Sequence, residues 1–450
     1  MNKDVFKKMR INLNEILYAV SFAFDATEAE YYERIRNNGI STIGETSILR
    51  ADNVRFSYKD HRNVVVTVGH SKRIAALSIL IGKEMGLDDK KLIDLAAFAV
   101  LHDNALTEVI QEENQYKIYN NGIGYSDEDY NIRCSTIGEK NTSLLPFRTN
   151  NRDVILFHNE NADGSGPFGR HYENTPIKAQ IIHLANNVDT HCDLTTISKE
   201  NHQEICDYVR ANSGMLFSVD VSAAFLKIFK PKVLGLLSFA NINSFLRSSI
   251  KRHDDEYSYS EVDNLATLLA RIVDFKSHYT CRHSIGVAQK AKVMAEYYNF
   301  PDDKVSKYYL AGALHDIGKL MVSIDILDKP DRLSDQEFEK MKSHAYYTYS
   351  ILKDIKGMKD IAVWASHHHE KLNGTGYPFH LTGDVLSHEE RLMTCCDIYQ
   401  ALAEERIYKE AYPHDKIIAI MNSCAEKNEI DANIVRDIDK VFRDYDFSKF

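Results

Sequence analysis

The chain is poor in residues that interrupt helices, and it lacks the patterns of membrane and secreted proteins. It has only 8 prolines and 20 glycines among 450 residues, which favours long helices. No apolar run reaches the length of about 18 residues that a membrane-spanning helix needs. Its seven cysteines, an odd number without a CxxC pair, indicate reduced thiols instead of a disulfide framework. We therefore expect a helical, cytoplasmic protein that does not enter a membrane.

Positive charge is also scarce. The 55 basic and 65 acidic residues give a formal net charge of −10 with histidine neutral. Proteins that bind nucleic acids or anionic membranes need clustered lysine and arginine, so DNA, RNA and membranes are not expected as partners. At 450 residues the chain exceeds one ordinary hydrophobic core and predicts two or three domains.

The second half of the chain contains histidines and aspartates at spaced positions. Seven of them are candidate metal ligands: His283, His315, Asp316, His344, His368, His369 and Asp397. Imidazoles and carboxylates bind divalent transition metals, and seven ligands exceed the needs of one four-coordinate ion, so two metals are expected. In the adjacent His-Asp pair, the imidazole can serve one ion while the carboxylate bridges both, as in two-metal phosphate chemistry. Lys319 follows Asp316 by three positions, which predicts that both lie on one helix face.

Four sequence blocks in this region resemble the HD-GYP phosphodiesterases, a bacterial branch of the HD metal-dependent phosphohydrolases. They are KSHYTCRHS at 276–284, LHDIGK at 314–319, HHE at 368–370 with GYP at 376–378, and RIYK at 406–409. The resemblance covers about residues 260–415. It implies a helical HD fold with a binuclear centre of iron or manganese.

The resemblance also implies how the ligands divide. One metal would be held by His283, His315, Asp316 and Asp397, and the other by Asp316, His344, His368 and His369, with Asp316 and a hydroxide as bridges. Some family members bind a third metal through a glutamate four residues before the first histidine, but Tyr279 occupies that position here. Asn373 replaces the family's usual aspartate ahead of the glycines, at a position that supports the loop and binds no metal.

By the same resemblance, the substrate is a cyclic dinucleotide, either cyclic di-GMP or 3′,3′-cyclic GMP-AMP. The bridging hydroxide would attack phosphorus in line with the departing sugar oxygen and leave the linear 5′-phosphorylated dinucleotide. Asp316 and Lys319 are the expected catalytic residues, because a bridging carboxylate and a point cation both serve a phosphoryl centre. Substrate contacts are expected from Lys319, Tyr377, Arg406 and Lys409, where the planar fork of arginine suits a second phosphate.

The first half of the chain repeats this spacing. The interval from His70 to His102 is 32 positions, as is the interval from His283 to His315. The metal-binding pattern has decayed, because Cys134, Asn159 and Leu106 stand where the second copy has His344, His369 and Lys319. The remaining candidates for a single metal are His70, His102, Asp103 and Asp189. Diester hydrolysis is not expected in this copy.

These observations predict an all-α protein made of two tandem HD-type helical bundles. Residues 1–250 would form the degenerate domain with a helical connector, and residues 251–450 the catalytic domain. Residues 63–68 (NVVVTV) have a strand-like pattern and predict a small β-hairpin inserted in the first copy. The apolar stretch near the N-terminus predicts an amphipathic helix.

Three functional hypotheses remain open at this point. The favoured one is a metal-dependent cyclic dinucleotide phosphodiesterase. A receptor that binds the messenger without cleaving it is the second, and an HD phosphohydrolase acting on mononucleotides or an alarmone is the third. His367 is an alternative ligand beside His368 and His369, and a homodimer is compatible with the sequence.

Overall fold

The computed structural model describes residues 8–37, 69–119, 125–195, 198–249, 255–277, 282–404 and 411–447. Nearly all regular structure in these ranges is helical, which confirms the predicted fold class. The predicted β-hairpin at residues 63–68 lies outside the described residues. Within the described ranges, no helix is both long and apolar enough to cross a bilayer.

The chain divides into two compact units. One consists of Asn12–His253, and the other of Asp254–Phe450 together with the strand Lys8–Ile11. The sequence predicts one domain boundary, between residues 250 and 251, with every earlier residue in the first domain.

The N-terminal unit contains ten α-helices among its described residues, and a short 3-10 helix at Tyr172–Asn174. The α-helices are α1 (Leu13–Asn37), α2 (His70–Glu84), α3 (Asp89–Val100), α4 (Leu106–Tyr119), α5 (Asp127–Thr142), α6 (Ile177–His191), α7 (Lys199–Ala211), α8 (Val219–Ile228), α9 (Pro231–Leu237) and α10 (Phe239–Ser249).

The C-terminal unit contains nine α-helices, a 3-10 helix at Ile317–Met321, and strands β1 (Lys8–Ile11) and β2 (Asp255–Ser258), again among the described residues. Its α-helices are α11 (Tyr259–Asp274), α12 (His283–Tyr297), α13 (Asp302–Leu314), α14 (Ile324–Leu327), α15 (Asp335–Leu352), α16 (Lys359–Ser366), α17 (His388–Ala403), α18 (His414–Glu426) and α19 (Ala432–Phe442).

The start of the chain differs from the sequence prediction. Residues 8–11 form β1, which pairs antiparallel with β2 so that Ile11 lies opposite Asp255. Met9 and Ile11 are buried, and an Arg10 nitrogen lies 2.9 Å from a carboxylate oxygen of Glu256. The sequence did not predict this strand, because its partner is distant in the chain, whereas the apolar stretch that follows is helical as predicted, in α1.

Local signals fix where several helices of the C-terminal unit begin. Ser258, Ser334 and Ser387 each cap a helix, and each forms a reciprocal capping box with the glutamate three residues later. Such boxes satisfy two backbone N–H groups that a helix start leaves without partners. Helix α11 also buries an apolar stripe at helical spacing, as the packing of an amphipathic helix requires: Leu265, Leu268, Leu269, Ile272 and Val273.

Candidate metal centre

The first three candidate ligands of the C-terminal unit lie at helix ends. His283 is the first residue of α12, and His315 directly follows α13. Asp316 then precedes the 3-10 helix Ile317–Met321. The sequence predicted that Asp316 and Lys319 lie on one face of a helix. The chain instead forms a tighter 3-10 helix after Asp316. Within it, Gly318 passes so close to α15 that a Cβ atom on it would lie 2.0 Å from the His344 carbonyl oxygen.

The other four candidates come from three further elements. His344 lies within α15, and Asp397 lies within α17. His368 and His369 follow α16 in the turn that leads to the glycine-rich loop. All seven candidate side chains are buried except that of His369, which is 31% exposed. Helices distant in sequence therefore direct imidazoles and carboxylates to one place.

The two carboxylate oxygens of Asp316 face different histidines. Its Oδ2 atom lies 3.1 Å from His315 Nε2 and 3.9 Å from His283 Nε2. Its Oδ1 atom lies 3.4 Å from His344 Nε2 and 3.8 Å from His368 Nε2. One carboxylate thus lies between two pairs of imidazoles, as a bridging ligand would.

Asp397 lies beside the pair His283 and His315, and His369 lies beside the pair His344 and His368; each set of three is one half of the cluster. Asp397 Oδ1 lies 3.1 Å from His283 Nε2 and 3.8 Å from His315 Nε2. Donor atoms of His344, His368 and His369 lie within 4.8 Å of one another, as do those of His283, His315 and Asp397. The assignment of these residues to two metals stays a prediction, because His315, Asp316 and His368 also form a close group and His369 Nδ1 lies 4.0 Å from Asp397 Oδ2.

The imidazoles are oriented with one nitrogen turned toward the cluster. The Nδ1 atoms of His315, His344 and His368 lie 2.7, 2.6 and 2.7 Å from the carbonyl oxygens of Gly312, Met341 and Ala365. A hydrogen bond of this kind places the proton on Nδ1 and leaves the Nε2 lone pair for a metal. Among the described residues, the buried His315 Nε2 and Asp316 Oδ1 atoms have no hydrogen-bond partner.

The protonation states of His344, His369 and Asp397 suit metal binding. Burial lowers the pKa of His344 to about 4 and that of His369 to about 3, so both rings are neutral in neutral solution. Burial alone would raise the pKa of Asp397, but a hydrogen bond to His283 and the charge of His315 hold it below its ordinary value. Metal ligands must be neutral imidazoles and ionised carboxylates. His344, His369 and Asp397 therefore fit divalent metal ions. Burial lowers the pKa of His283, but hydrogen bonds to Asp397 and Glu404 raise it to about 9, so a metal ion would displace a proton from that ring.

Lys319 and Tyr377 border the cluster. Lys319 Nζ lies 2.5 Å from Asp316 Oδ2, because residues three apart align on a 3-10 helix. The Tyr377 ring centroid lies 4.7 Å from that of His369 and 6.3 Å from that of His344. Burial raises the pKa of Tyr377, so its phenol remains a hydrogen-bond donor.

The loop that carries Tyr377 is held by Glu370 and Asn373. Glu370 accepts hydrogen bonds from the backbone N–H groups of Phe379 and Leu381, at 2.6 and 2.9 Å. Asn373 accepts from the N–H and hydroxyl of Thr375, at 3.1 and 2.7 Å. Both side chains shape the loop instead of facing the cluster.

Residues 265–434 match the family of HD domains. A 3′3′-cGAMP-specific phosphodiesterase of Vibrio cholerae is 34% identical over 313 residues, which are 68% of this chain and 65% of that protein. Residues 265–434 are thus an HD domain. The family resemblance that the sequence motifs indicated is thereby confirmed.

Two further relatives define the extent of the similarity. A cyclic di-GMP phosphodiesterase of Pseudomonas aeruginosa is 36% identical over 160 residues, which are 35% of this chain and 39% of that protein. The matches thus span less than two thirds of either curated relative. The crystal structure of a cyclic GMP-AMP-specific phosphodiesterase of V. cholerae aligns with 98% of this chain and 100% of its own, with a TM-score of 0.62 and 23% identity. This likeness establishes the helical HD-domain fold.

Some predicted residues lie elsewhere or outside the described residues. Arg406, Lys409 and Tyr279 are among the undescribed positions. His367, the alternative ligand, places its Nδ1 atom 2.5 Å from a carboxylate oxygen of Glu390, away from the HD-domain cluster. The structure therefore associates His368 and His369 with the cluster and His367 with a helix cap.

Sequence reasoning missed Glu404. Its Oε2 atom lies 3.1 Å from Nδ1 of His283, on the opposite side of the ring from Asp397. It is thus placed to orient the imidazole, as carboxylates behind metal-binding histidines commonly do. The available signal was its position seven residues after Asp397, which is two turns along α17.

The first HD-type copy has the same placement of elements. His70 begins α2, His102 and Asp103 follow α3, and Asp189 lies within α6. In the counterpart of the second metal half, Asp103 and the buried His158 remain, with His158 Nε2 3.8 Å from Asp103 Oδ1. There, the buried Cys134 packs with Ala105 and Val109 in a hydrophobic cluster. The four residues that the sequence proposed are near one another, but Asp189 is paired with Arg73, which the sequence analysis did not anticipate.

Proposed function

We propose that the C-terminal unit hydrolyses a cyclic dinucleotide, 3′,3′-cyclic GMP-AMP or cyclic di-GMP, to the linear 5′-phosphorylated dinucleotide. The observation that carries the proposal is the position of Asp316, whose two oxygens face two separate pairs of histidines. The relatives' names support the same substrate class, since one is specific for 3′3′-cGAMP and another acts on cyclic di-GMP. The longer alignment belongs to the former, so we favour 3′,3′-cyclic GMP-AMP.

We propose two metal ions for this unit, held as the distances divide the ligands. One set is His283, His315, Asp316 and Asp397, and the other is Asp316, His344, His368 and His369. Iron and manganese suit this mixture of nitrogen and oxygen donors. Two such ions would lower the pKa of bound water and neutralise the charge of a phosphodiester.

The protein's own groups would position the diester. Lys319 is a compact cation beside Asp316, where it would offset negative charge on the phosphoryl oxygens as the bond to the sugar breaks. Tyr377 presents a protonated phenol and an aromatic face next to His369, and both can contact a nucleotide. Arg406 and Lys409 stay sequence predictions for the second phosphate.

The experiment that tests this function is hydrolysis by the purified full-length chain. Cyclic di-GMP and 3′,3′-cyclic GMP-AMP would each be incubated with protein supplied with iron or manganese under reducing conditions. We expect chromatography to show a linear dinucleotide, and prior chelation to abolish its formation. Tight binding of both compounds without cleavage would contradict the proposal and favour the receptor.

The glycine-rich loop offers a further prediction. A Cβ atom on Gly376 would lie 2.4 Å from the backbone nitrogen of Lys371 and 2.6 Å from the carbonyl oxygen of His369. We therefore expect Gly376→Ala to displace the loop from the cluster and lower kcat/KM by about 100-fold, as small misplacements in active sites do. Steady-state hydrolysis with both variants would measure this, using Gly235→Ala as the control, because nothing lies within 4 Å of a Cβ atom there. Equal rates for the two variants would contradict the role of the close approach.

A further inference from the structure

We propose that the N-terminal unit binds one structural divalent transition-metal ion through Glu28, His70 and His102. All three side chains are buried, and one donor atom from each lies within 4.8 Å of the other two. The set differs from the one that the repeated spacing suggested, because Glu28 comes from α1 and has no counterpart among the ligands of the second copy. The inference is independent of hydrolysis in the C-terminal unit.

The imidazoles of this cluster are oriented as metal ligands. His102 Nδ1 lies 3.1 Å from the carbonyl oxygen of Ala99, and His70 Nδ1 lies 2.6 Å from Asp189 Oδ2. These contacts hold the Nδ1 protons and direct both Nε2 lone pairs to the interior. Among the described residues, both Nε2 atoms are buried without a hydrogen bond of good geometry, and each faces a carboxylate oxygen: Glu28 Oε1 at 3.5 Å from His70 and Asp103 Oδ2 at 3.2 Å from His102. Buried polar atoms rarely lack a partner, so the two nitrogens indicate a ligand.

A buried arginine explains why Asp189 is not in this donor set. Arg73 reaches both oxygens of Asp189, with Nε 2.5 Å from Oδ1 and Nη2 2.8 Å from Oδ2. This planar, two-point contact neutralises the carboxylate with a permanent cation. At the corresponding position, three residues after the first histidine, the second copy has Gly286. Asp189 therefore pairs with a guanidinium, whereas its counterpart Asp397 faces the Nε2 atoms of His283 and His315.

The carboxylates have exchanged roles between the two copies. In the second copy, Asp397 lies on the Nε2 side of His283, and Glu404 lies on the Nδ1 side. In the first copy, Asp189 occupies the Nδ1 side of His70, and Glu28 Oε1 lies 3.5 Å from Nε2. Each leading histidine thus has one carboxylate to orient it and another on its ligand side. Glu28 thus supplies a carboxylate on the ligand side of His70, and Asp189 does not, because it pairs with Arg73.

The chemistry favours one ion with a structural role. Two imidazoles and a carboxylate suit zinc or ferrous iron. A second ion is not expected, because Cys134 packs in an apolar cluster and only Asp103 and His158 remain as ordinary ligands in the other half. Glu28, His70 and His102 come from α1, the start of α2 and the turn after α3, so one ion would join three segments of the helical core. A metal that binds only the folded state stabilises it by mass action.

Cobalt content of the full-length chain tests this inference. Protein stripped by a chelator would be loaded with Co²⁺, freed of excess ion, and analysed by elemental analysis and visible absorption. We expect Glu28→Gln, which removes the charge with little change of shape, to bind one cobalt fewer per chain than wild type. Glu15→Gln is the matched control, because Glu15 lies on the same helix and is only partly buried. Equal cobalt content in Glu28→Gln and Glu15→Gln would overturn the proposal.

A second variant keeps the test decisive if Glu28→Gln does not fold. Asp316→Ala removes the carboxylate that lies among the histidines of the C-terminal unit, while leaving the N-terminal unit intact. We expect this variant to retain one cobalt per chain and to unfold at a higher temperature with cobalt than with chelator. A folded Asp316→Ala protein that binds no cobalt would refute the N-terminal site. Neither measurement depends on cyclic dinucleotide hydrolysis, so failure of the proposed activity is distinguishable.

Discussion

Asp316→Ala is expected to abolish hydrolysis and to release the metals of the C-terminal unit. The carboxylate lies within 4 Å of the ligand nitrogens of His283, His315, His344 and His368, so its loss removes the group common to both halves. We expect kcat to fall by at least about 1,000-fold, since the centre would lose its organisation as well as its charge. Chromatography of the products and elemental analysis of the same protein would measure both effects.

Asp360→Ala is a matched control for this experiment. Asp360 lies in the first turn of α16 and is exposed, so the same change of side chain there should leave metal content and rate near those of wild type. A variant Asp316→Ala that lost activity but kept all its metal would contradict the bridging role. It would indicate instead that Asp316 acts on the substrate or on Lys319.

Much of the fold could be predicted because the relevant signals are local. The capping boxes at Ser258, Ser334 and Ser387 and the apolar stripe of α11 depend on residues within a few positions of one another. The equal intervals between paired histidines likewise record the length of a helix and its connection. The helices of each copy can therefore be predicted from the residues of that copy alone.

The candidate centre was predictable for a related reason. Each ligand of the C-terminal unit stands at a helix end or in a motif with a recognisable spacing, and the distances bring all seven together. The second oxygen of Asp316 could be assigned a bridging role from the His-Asp pair alone. Only a few residue types bind transition metals, so candidate ligands can be recognised in a sequence even though their long-range contacts cannot.

What could not be predicted depends on partners distant in the chain. Strand β1 forms because residues 255–258 offer it a partner, which no local pattern in residues 8–11 reveals. Arg73 and Asp189 are separated by 116 positions, and their pairing changes which carboxylate is available. Glu28 lies in a helix with no motif. In each case, the tertiary contact assigns a role that the residue type leaves open.

The first copy shows how one half of such a centre can be lost without loss of the fold. Gly318 allows the 3-10 helix to approach His344 closely, whereas the first copy has Ala105 and Cys134 at the matching positions. These two side chains are buried against Val109, so apolar contacts replace polar ligands in the core. Burial of such groups stabilises the bundle without a metal.

Lys319→Met is expected to slow hydrolysis while the metals remain bound. The side chain keeps its length but loses the cation that lies 2.5 Å from Asp316 Oδ2, and it is only 20% exposed. Because that charge would oppose negative charge developing on the phosphoryl oxygens, we expect kcat to fall by about 100-fold to 1,000-fold. Steady-state kinetics and elemental analysis would separate this effect from loss of the centre.

The comparison with Lys340→Met makes the prediction specific. Lys340 is exposed on α15. Removal of its charge tests whether loss of a positive charge elsewhere lowers kcat through the electrostatic field of the whole protein. A fall in kcat with little change in KM for Lys319→Met alone would place the lysine's effect in the transition state, since uniform binding would appear in KM. Loss of metal from Lys319→Met would show instead that its contact with Asp316 is needed to build the centre, and equal rates in both variants would remove Lys319 from the catalytic residues.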